Sequence, residues 1–420
     1  MQRASYTISM LEYELHTLPN GIRVAHKQIT HTKVVHCGFI LDVGSRDERP
    51  EQQGLAHFWE HMAFKGTKKR KAYHIINRLE AVGGELNAYT TKEKICFYAS
   101  LLDRHFESAL ELLTDITFDS IFPEKQIERE RNVILEEMAM YYDSPEDAIQ
   151  DDFDQVVFGE HPLGRNILGS RESIRTFGRA DFQQFLAEHM NTEKLVFCCV
   201  GNLTMKKVVK LAEKHLLSIP TLRGPGYRLP FNNYIPQQKV VQRSLTQAQC
   251  AIGRTAFPVH DQRSLPFFML TNLLGGPGMN SRLNLALREK HGLVYSADAE
   301  YQSYTDTGFF AIYFGTEPGQ LSRATNYVMK ELKTLREKPL GKVQLHHIKE
   351  QLMGQLAMSS ENNQSLMLAI GRSLLEGREL EGLDTVYKKI NAVTAQDLQE
   401  LANEMFREED LSTLAYVPES

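Results

Sequence analysis

Two histidines and a glutamate lie within the five-residue segment HFWEH, which begins at His57 of this 420-residue chain. Residues of a helix advance by about 100° each, so His57 and His61 would lie about 40° apart, with Glu60 about 60° to the other side of His57. Two imidazoles at this spacing can bind one Zn²⁺ through neutral nitrogens, and the carboxylate between them can act as general base on a metal-bound water. The alternative is an exposed polar face.

The residues around this motif favour the metal site. They are almost all apolar: Leu55, Ala56, Phe58, Trp59, Met62 and Phe64. A helix over residues 54–64 would therefore bury the two imidazoles and the carboxylate. Burying two imidazoles and a carboxylate without partners costs several kcal/mol. A bound cation would offset that cost, and the segment therefore predicts a metal site.

A catalytic zinc site needs a third protein ligand and one open coordination position. The helical segment IERERNVILEEMAMYY carries Glu130 and Glu137, which lie seven residues apart and hence about 20° from eclipsed on one face. We expect Glu137 to be the ligand and Glu130 to hold a histidine or the water from two turns away. For Glu130 an ordinary surface charge is the alternative. Glu128 and Glu136 point elsewhere and are expected to be solvated.

The composition is that of a globular protein, with 42% hydrophobic residues, 24% charged residues and a formal net charge of −5. It excludes disordered, collagen-like and disulfide-scaffold classes, and it argues against nucleic-acid binding. The longest dense apolar run, residues 195–200, is strand-sized, so we expect no membrane insertion. The N-terminus lacks the apolar core of a signal peptide, and the five cysteines are few and without CxxC spacing. These features predict a cytoplasmic protein.

The length predicts two domains, because single cores stop growing near ~250–300 residues. Four prolines and two glycines cluster in residues 219–238, a segment that cannot continue a helix or a central strand. We place an N-terminal zinc-binding domain at 1–222, a linker at 223–242 and a C-terminal domain at 243–420. Strand-like stretches at 34–41, 95–101 and 194–200 alternate with helical ones at 54–64, 104–116, 124–141 and 180–189.

The same order returns after the linker, with a strand at 248–256, a helix at 265–274, strands within 295–315 and helices within 320–406. The segment LAHFWEHMAFKG also aligns with LPFFMLTNLLGG at residues 265–276, and their apolar positions coincide. The chain therefore looks like two copies of one unit. At the positions of His57, Glu60, His61 and Glu137, the second copy has packing or neutral residues: Phe267, Leu270, Thr271 and Gln355.

Several segments resemble the M16 family of zinc metallopeptidases, the inverzincins that include pitrilysin, insulin-degrading enzyme and the mitochondrial processing peptidase. They cover nearly the whole chain: LPNGIRV, VGSRDE, GLAHFWEHMAFKGT, GGELNAYTTKEK, ERNVILEEM, HPLGRNILG, LREKHGLVYS and YTDTGFFAIYFGT. The match is closest to the short single-chain bacterial members of subfamily B. The resemblance implies an α+β fold of two homologous domains, each a mostly antiparallel sheet packed with helices, as in the LuxS/MPP-like metallohydrolases.

The resemblance also implies a zinc endopeptidase with one Zn²⁺ per chain. It makes His57, His61 and Glu137 the zinc ligands and Glu60 the catalytic base, and it gives roles to residues that composition alone would leave ordinary. Arg288 and Tyr295 match an arginine and tyrosine that hydrogen-bond the substrate carbonyl and the developing oxyanion. Asn87 and Ala88 match an edge strand that pairs with an extended substrate by β-augmentation. The alternative for the first pair is a salt-bridged helix end beside a strand tyrosine.

In larger members of the family, two such halves, of which only one is active, are fused into a clam-like chamber that admits short or unfolded peptides. The present chain has the length of one half, so we expect a homodimer in which Arg288 and Tyr295 complete the zinc site of the other copy. A non-catalytic assembly or partner subunit is the rival, although inactive relatives usually lose part of the zinc motif. General peptide degradation and maturation of one precursor both stay open.

Overall fold

The computed structural model describes residues 11–419. They form two compact units, each built from three chain segments. The first unit contains the residues up to 138 together with 166–229 and 357–383, and the second contains 139–165, 230–356 and the residues from 384 onwards. Each unit has one sheet and several helices. The predicted two-domain α+β fold is thereby confirmed.

The first unit is built on a six-stranded sheet in the order β1-β2-β6-β3-β5-β4. The β2–β6 pair is parallel and the other pairs are antiparallel. Every residue of β6 (LVFCCVG) is buried, as expected of a strand covered on both faces. The strands are β1 (Glu14–Thr17), β2 (Arg23–Gln28), β3 (Val34–Leu41), β4 (Glu85–Thr90), β5 (Ile95–Leu102) and β6 (Leu195–Gly201).

One face of this sheet packs against α1, α3, α7 and α8 around the largest hydrophobic core of the unit. The helices of the first half of the chain are α1 (Leu55–Ala63), α2 (Ala72–Glu80), α3 (Phe106–Phe118), α4 (Glu124–Asp143), α5 (Pro145–Phe158), α6 (Arg171–Thr176), α7 (Arg179–His189) and α8 (Met205–Leu216).

The second unit repeats this topology with a five-stranded sheet in the order β7-β11-β8-β10-β9. The order and the directions match β2-β6-β3-β5-β4, including one parallel pair, here β7–β11. The strands are β7 (Gln238–Arg243), β8 (Ala248–Ala256), β9 (Val294–Ser303), β10 (Gly308–Thr316) and β11 (Ser412–Pro418). This equivalence of strands agrees with the duplication predicted from the sequence.

The helices of the second half are α9 (Ser264–Gly275), α10 (Leu321–Glu337), α11 (Lys342–Ser360), α12 (Asn363–Leu375), α13 (Leu383–Ala392) and α14 (Ala395–Met405). A π-helical turn at Asn284–Glu289 precedes β9. The strand predicted at 248–256 and the helix predicted at 265–274 are both confirmed, the latter within one residue at each end.

The two halves of the chain exchange one helix each. Helix α5 packs on β8 and β11 of the second sheet, and α12 packs on β3 and β6 of the first sheet, which are the equivalent strands. Each sheet has a second apolar face that needs a cover; in the first unit Met367 and Ile370 of α12 meet Val196 and Cys198 there. The boundaries of the two units therefore differ from the domains expected at 1–222 and 243–420. The last residues of the expected linker, 223–242, belong to β7.

Among residues 11–419, no helix combines the length and the apolar character that crossing a membrane would require. The five cysteines are all buried and all free thiols.

Candidate metal centre

Helix α1 is fixed at its first turn by a glycine and a buried carboxylate. Gly54 has a φ of 94°, in the left-handed region that favours glycine, and a Cβ there would lie 2.6 Å from the carbonyl oxygen of Leu168. The Glu48 carboxylate accepts hydrogen bonds from the N–H groups of Gly54 at 2.9 Å and Ala56 at 2.7 Å. It thus satisfies free donors of the first turn and complements the helix dipole.

The back of α1 is anchored in the core. The rings of Phe58 and Phe182 lie 5.1 Å apart, and those of Trp59 and Phe97 lie 5.4 Å apart. The opposite side carries the polar residues, of which His57 is 8% exposed, whereas Glu60 and His61 are half-buried. The motif is therefore less enclosed than the apolar sequence around it predicts, because its second half faces a groove.

The structure brings His57, His61 and Glu137 to one point. The Oε2 atom of Glu137, on α4, lies 3.9 Å from Nε2 of His57 and 3.6 Å from Nε2 of His61. The two imidazole centroids are 4.7 Å apart, and one ligand atom from each of the three residues lies within 4.8 Å of the others. Within the described part of the chain, this is the one group of three such residues that could hold a metal ion.

The distances between these three side chains suit joint binding of a zinc ion better than direct hydrogen bonds between them. The distances from Glu137 exceed the ~2.7–3.2 Å of a hydrogen bond and approach the roughly 3.4 Å that separates two ligands of a tetrahedral zinc ion with bonds of ~2.0–2.1 Å. The buried Nδ1 atom of His57 has no hydrogen-bond partner among the described residues. A donor at Nδ1 would force the ring proton onto Nε2, and none of these residues supplies one. Two imidazole nitrogens and one carboxylate oxygen are a donor set that zinc prefers.

Glu130 fixes the second histidine. Its Oε2 atom lies 3.3 Å from Nδ1 of His61, and its Oε1 atom lies 2.8 Å from Nζ of Lys65. Burial alone would raise the pKa of Glu130, but the hydrogen bonds from His61 and Lys65 outweigh it, and the pKa is lowered. A Nδ1–H group donating to this anion leaves the Nε2 lone pair of His61 directed towards Glu137.

Burial also sets the charge state of the other groups. It lowers the pKa of His57 to about 3, with the neighbouring His61 acting in the same direction, so the imidazole is neutral, as a metal ligand must be. Burial raises the pKa of Glu60 and of Glu137, opposed at Glu60 by a hydrogen bond from the Thr90 hydroxyl. Carboxyl groups that burial discourages from ionising are stabilised as anions by a nearby cation.

A groove runs beside the metal-ligand cluster, between α1 and the edge strand β4. Its lining residues are Glu60, His61, Phe64, Lys65, Ile76, Glu80, Leu86, Asn87, Ala88 and Glu130. Asn87 and Ala88 pair with Tyr98 and Phe97 of β5 on one side. Because β4 is the last strand of its sheet, its other side can accept a further strand.

Arg288 and Tyr295 belong to the second unit, where they lie together. The Arg288 guanidinium carbon is 5.4 Å from the Tyr295 ring centroid, and Nε of Arg288 is 3.6 Å from a carboxylate oxygen of Glu289. Tyr295 is 84% exposed and lies near the start of β9, the edge strand that corresponds to β4. In α9, the helix equivalent to α1, the positions of His57, Glu60 and His61 are buried: Phe267, Leu270 and Thr271.

Three residues of the site escape sequence reasoning. Glu48, Lys65 and Thr90 contact Gly54, Glu130 and Glu60, respectively. Lys65 lies four residues after His61, so the sequence predicts that it lies on the same helix face. The sequence does not predict its partner, Glu130. The contact of Glu48 depends on the path of the chain before α1, and that of Thr90 depends on where β4 ends.

The fold and the site define a class of proteins with a duplicated α+β unit. Of the two equivalent helices, α1 carries potential metal ligands and α9 does not. Two family descriptions match the chain: "Insulinase (Peptidase family M16)" over residues 23–171 and "Peptidase M16 inactive domain" over residues 176–352. This chain belongs to peptidase family M16, as its motifs predict.

Relatives with similar sequences extend over nearly the whole chain. The uncharacterized zinc protease YmxG of Bacillus subtilis is 33% identical over 394 residues, which cover 94% of this chain and 96% of that protein. The uncharacterized zinc protease SCO5738 of Streptomyces coelicolor is 32% identical over 397 residues, with coverage of 93% and 86%.

Two solved structures share the fold. A protease from Helicobacter pylori superimposes with a TM-score of 0.91 at 23% identity, covering 97% of this chain and 100% of that one. A peptidase M16 inactive domain from Pseudomonas fluorescens gives a TM-score of 0.90 at 18% identity, with 98% coverage of both chains. At these identities the likeness concerns the fold.

Proposed function

We propose that this chain is a zinc-dependent endopeptidase that hydrolyses peptides or unfolded protein segments. The observation that carries the proposal is the convergence of His57, His61 and Glu137 beside the carboxylate of Glu60. The names of the B. subtilis and S. coelicolor relatives support zinc as the metal and proteolysis as the activity.

In this mechanism His57, His61 and Glu137 would hold the ion, through their imidazole nitrogens and a carboxylate oxygen. When bound, zinc polarises the scissile carbonyl and lowers the pKa of a water molecule. Glu60 removes the proton from the attacking water and returns it to the leaving amine. Glu130 keeps the ring of His61 in the tautomer and orientation that binding requires.

The substrate would lie along β4. An extended peptide can add to the free side of this strand through main-chain hydrogen bonds, and the groove beside Asn87 and Ala88 would take its side chains. The small side chain of Ala88 leaves room for this approach. Binding through the main chain suits peptides of many sequences, which fits an enzyme that acts on unfolded segments.

We further propose that a second copy of the chain completes the site. Arg288 and Tyr295 would come from the partner, bind the substrate carbonyl and stabilise the oxyanion, so that two copies enclose a chamber with two zinc sites. The exposure of Tyr295 and its contact with Arg288 support a role outside the core of its own unit.

The decisive experiment compares Glu60→Gln with Glu51→Gln, an exposed glutamate just before α1. Digestion of a peptide library, read by mass spectrometry with and without a zinc chelator, measures activity, metal dependence and cleavage preference together. We expect Glu60→Gln to keep its zinc and to lose roughly 10²–10⁴-fold in turnover, with no loss for Glu51→Gln. A zinc-loaded wild type without hydrolysis would instead support a non-catalytic partner subunit.

A further inference from the structure

We propose that Thr90 is a positioning residue that holds the Glu60 carboxylate in place for proton transfer and joins it to the strand on which the peptide lies. The Thr90 hydroxyl donates a hydrogen bond of 2.6 Å to Oε2 of Glu60. The inference rests on the proposed function, because it concerns the same base. Within residues 11–419, the hydrogen bond of the Thr90 hydroxyl goes to Glu60 and not to His57, His61 or Glu137.

The hydrogen bond occupies one oxygen of the base and leaves the other available. Oε1 of Glu60 has no hydrogen-bond partner within residues 11–419. A glutamate carboxyl group turns freely about its last torsion unless a partner holds it. The hydroxyl of Thr90 therefore selects one orientation of the carboxylate, in which Oε1 is the atom that can accept a proton.

Thr90 can hold Glu60 because its own backbone is held. It is the last residue of β4 and pairs with Ile95 of β5. The turn that follows is closed by the N–H of Thr91 donating to the carbonyl oxygen of Lys94 at 2.8 Å and by the N–H of Lys94 donating to Oγ1 of Thr91 at 2.9 Å. The Thr90 hydroxyl thus projects from a short hairpin whose turn is closed by hydrogen bonds.

The loop after β3, in the segment VGSRDE, binds this hairpin turn. The N–H of Ser45 donates to the carbonyl oxygen of Thr91 at 3.1 Å, and the N–H of Arg46 donates to that of Lys92 at 2.7 Å. The two backbones approach so closely that a Cβ on Gly44 would lie 2.4 Å from the Thr91 carbonyl oxygen. Glycine is required at this position for that reason.

Ion pairs reinforce the same support. Lys94, at the end of the turn, lies 2.8 Å from Asp42, and Arg228 contacts Asp42 at 3.2 Å and Asp47 at 2.7 Å. The pairs are largely removed from solvent, so they lose less strength to screening than surface pairs do. These charged residues belong neither to the metal-ligand cluster nor to the lining of the groove. Their role in this proposal is to support the turn.

The position of Thr90 also couples substrate to base. Asn87 and Ala88 lie on the same six-residue strand, so a peptide paired with β4 takes its register from the strand whose last residue holds Glu60. Misplacement of a catalytic group by about 1 Å can cost 10²-fold in rate. One strand that carries both contacts keeps the scissile bond and the base in a constant relation.

The test is Thr90→Val, which keeps the shape and removes the donor, beside Thr90→Ser, which keeps the donor. In the zinc-loaded protein we expect Thr90→Val to lower kcat by ~10–100-fold, with KM, zinc content and melting temperature unchanged. Thr90→Ser should restore most of the lost kcat. An undiminished kcat in Thr90→Val, or an equal loss in both variants, would overturn the proposal.

Peptide binding to the inactive chain separates positioning from substrate binding. The affinity of one peptide is compared between Glu60→Gln and Glu60→Gln/Thr90→Val, and we expect the same value. Weaker binding in the double variant would make Thr90 a substrate contact and would refute the positioning role. If Glu60→Gln were itself fully active, the proposed function would fail; if it is dead while Thr90→Val keeps full activity, the failure is confined to Thr90.

Discussion

Lys65 forms an ion pair with Glu130, with 2.8 Å between Nζ and Oε1. The other oxygen of this carboxylate faces Nδ1 of His61 in the metal-ligand cluster. Glu130 is 7% exposed, and a buried carboxylate without a cationic partner would be costly. The lysine lets Glu130 remain an anion beside His61 without being a metal ligand.

Removal of this anion should weaken metal binding. Glu130→Gln keeps the shape but holds the Nδ1–H group of His61 less strongly, so we expect zinc affinity to fall by ~10–100-fold. Competition against a chelator of known affinity measures the change. Glu128→Gln is the matched control, since Glu128 lies on the same helix and is exposed; equal losses in both variants would count against the role of Glu130.

The adjacent glutamates Glu136 and Glu137 offer a sharper pair. Glu137 reaches both histidines, whereas Glu136 is exposed one residue away on α4. We expect Glu137→Gln to be purified without stoichiometric zinc and Glu136→Gln to retain it, as measured by metal analysis. Full zinc occupancy of Glu137→Gln would remove Glu137 from the ligand set.

The spacing of residues predicts the parts of this site that lie on helices. His57 and His61 share a helix face through their i, i+4 spacing, and Glu130 and Glu137 share another through two turns. Thr90 and Lys65 are different, because their partners are set by how β4 and α4 pack against α1. Likewise, apolar residues in α12 indicate a buried face, but periodicity does not say which sheet it covers, and the exchange of α5 and α12 escapes sequence reasoning.

The exchanged helix α12 should contribute strongly to stability. Ile370 is 1% exposed and packs on the first sheet, so Ile370→Ala is expected to lower the free energy of unfolding by about 2–5 kcal/mol. Ser365→Ala, on an exposed position of the same helix, should change it by less than about 0.5 kcal/mol. Urea unfolding measures both, and a small effect of Ile370→Ala would mean that α12 adds little to the core.

His189 should make the fold acid-sensitive. Burial lowers its pKa to about 4, although Glu188 opposes the shift, whereas an unfolded histidine titrates near 6.5. Between these values the unfolded state binds more protons, so stability falls as the pH drops from about 6.5 to about 4, with a slope of up to roughly 1.4 kcal/mol per pH unit. The pH dependence of urea unfolding should be shallower in His189→Gln, and identical slopes would contradict this origin.

Complementation between two dead variants tests the partner's contribution to the site. If Arg288 and Tyr295 act on the zinc site of the other copy, a heterodimer of Glu60→Gln and Arg288→Ala chains contains one site with an intact base and an intact arginine. Statistical exchange makes half of the dimers mixed, so we expect up to about a quarter of wild-type activity when each mixed dimer has one working site. Native mass spectrometry of tagged chains shows whether mixed dimers form. Mixed dimers without activity would place Arg288 in the same copy as the base it serves, or outside the reaction.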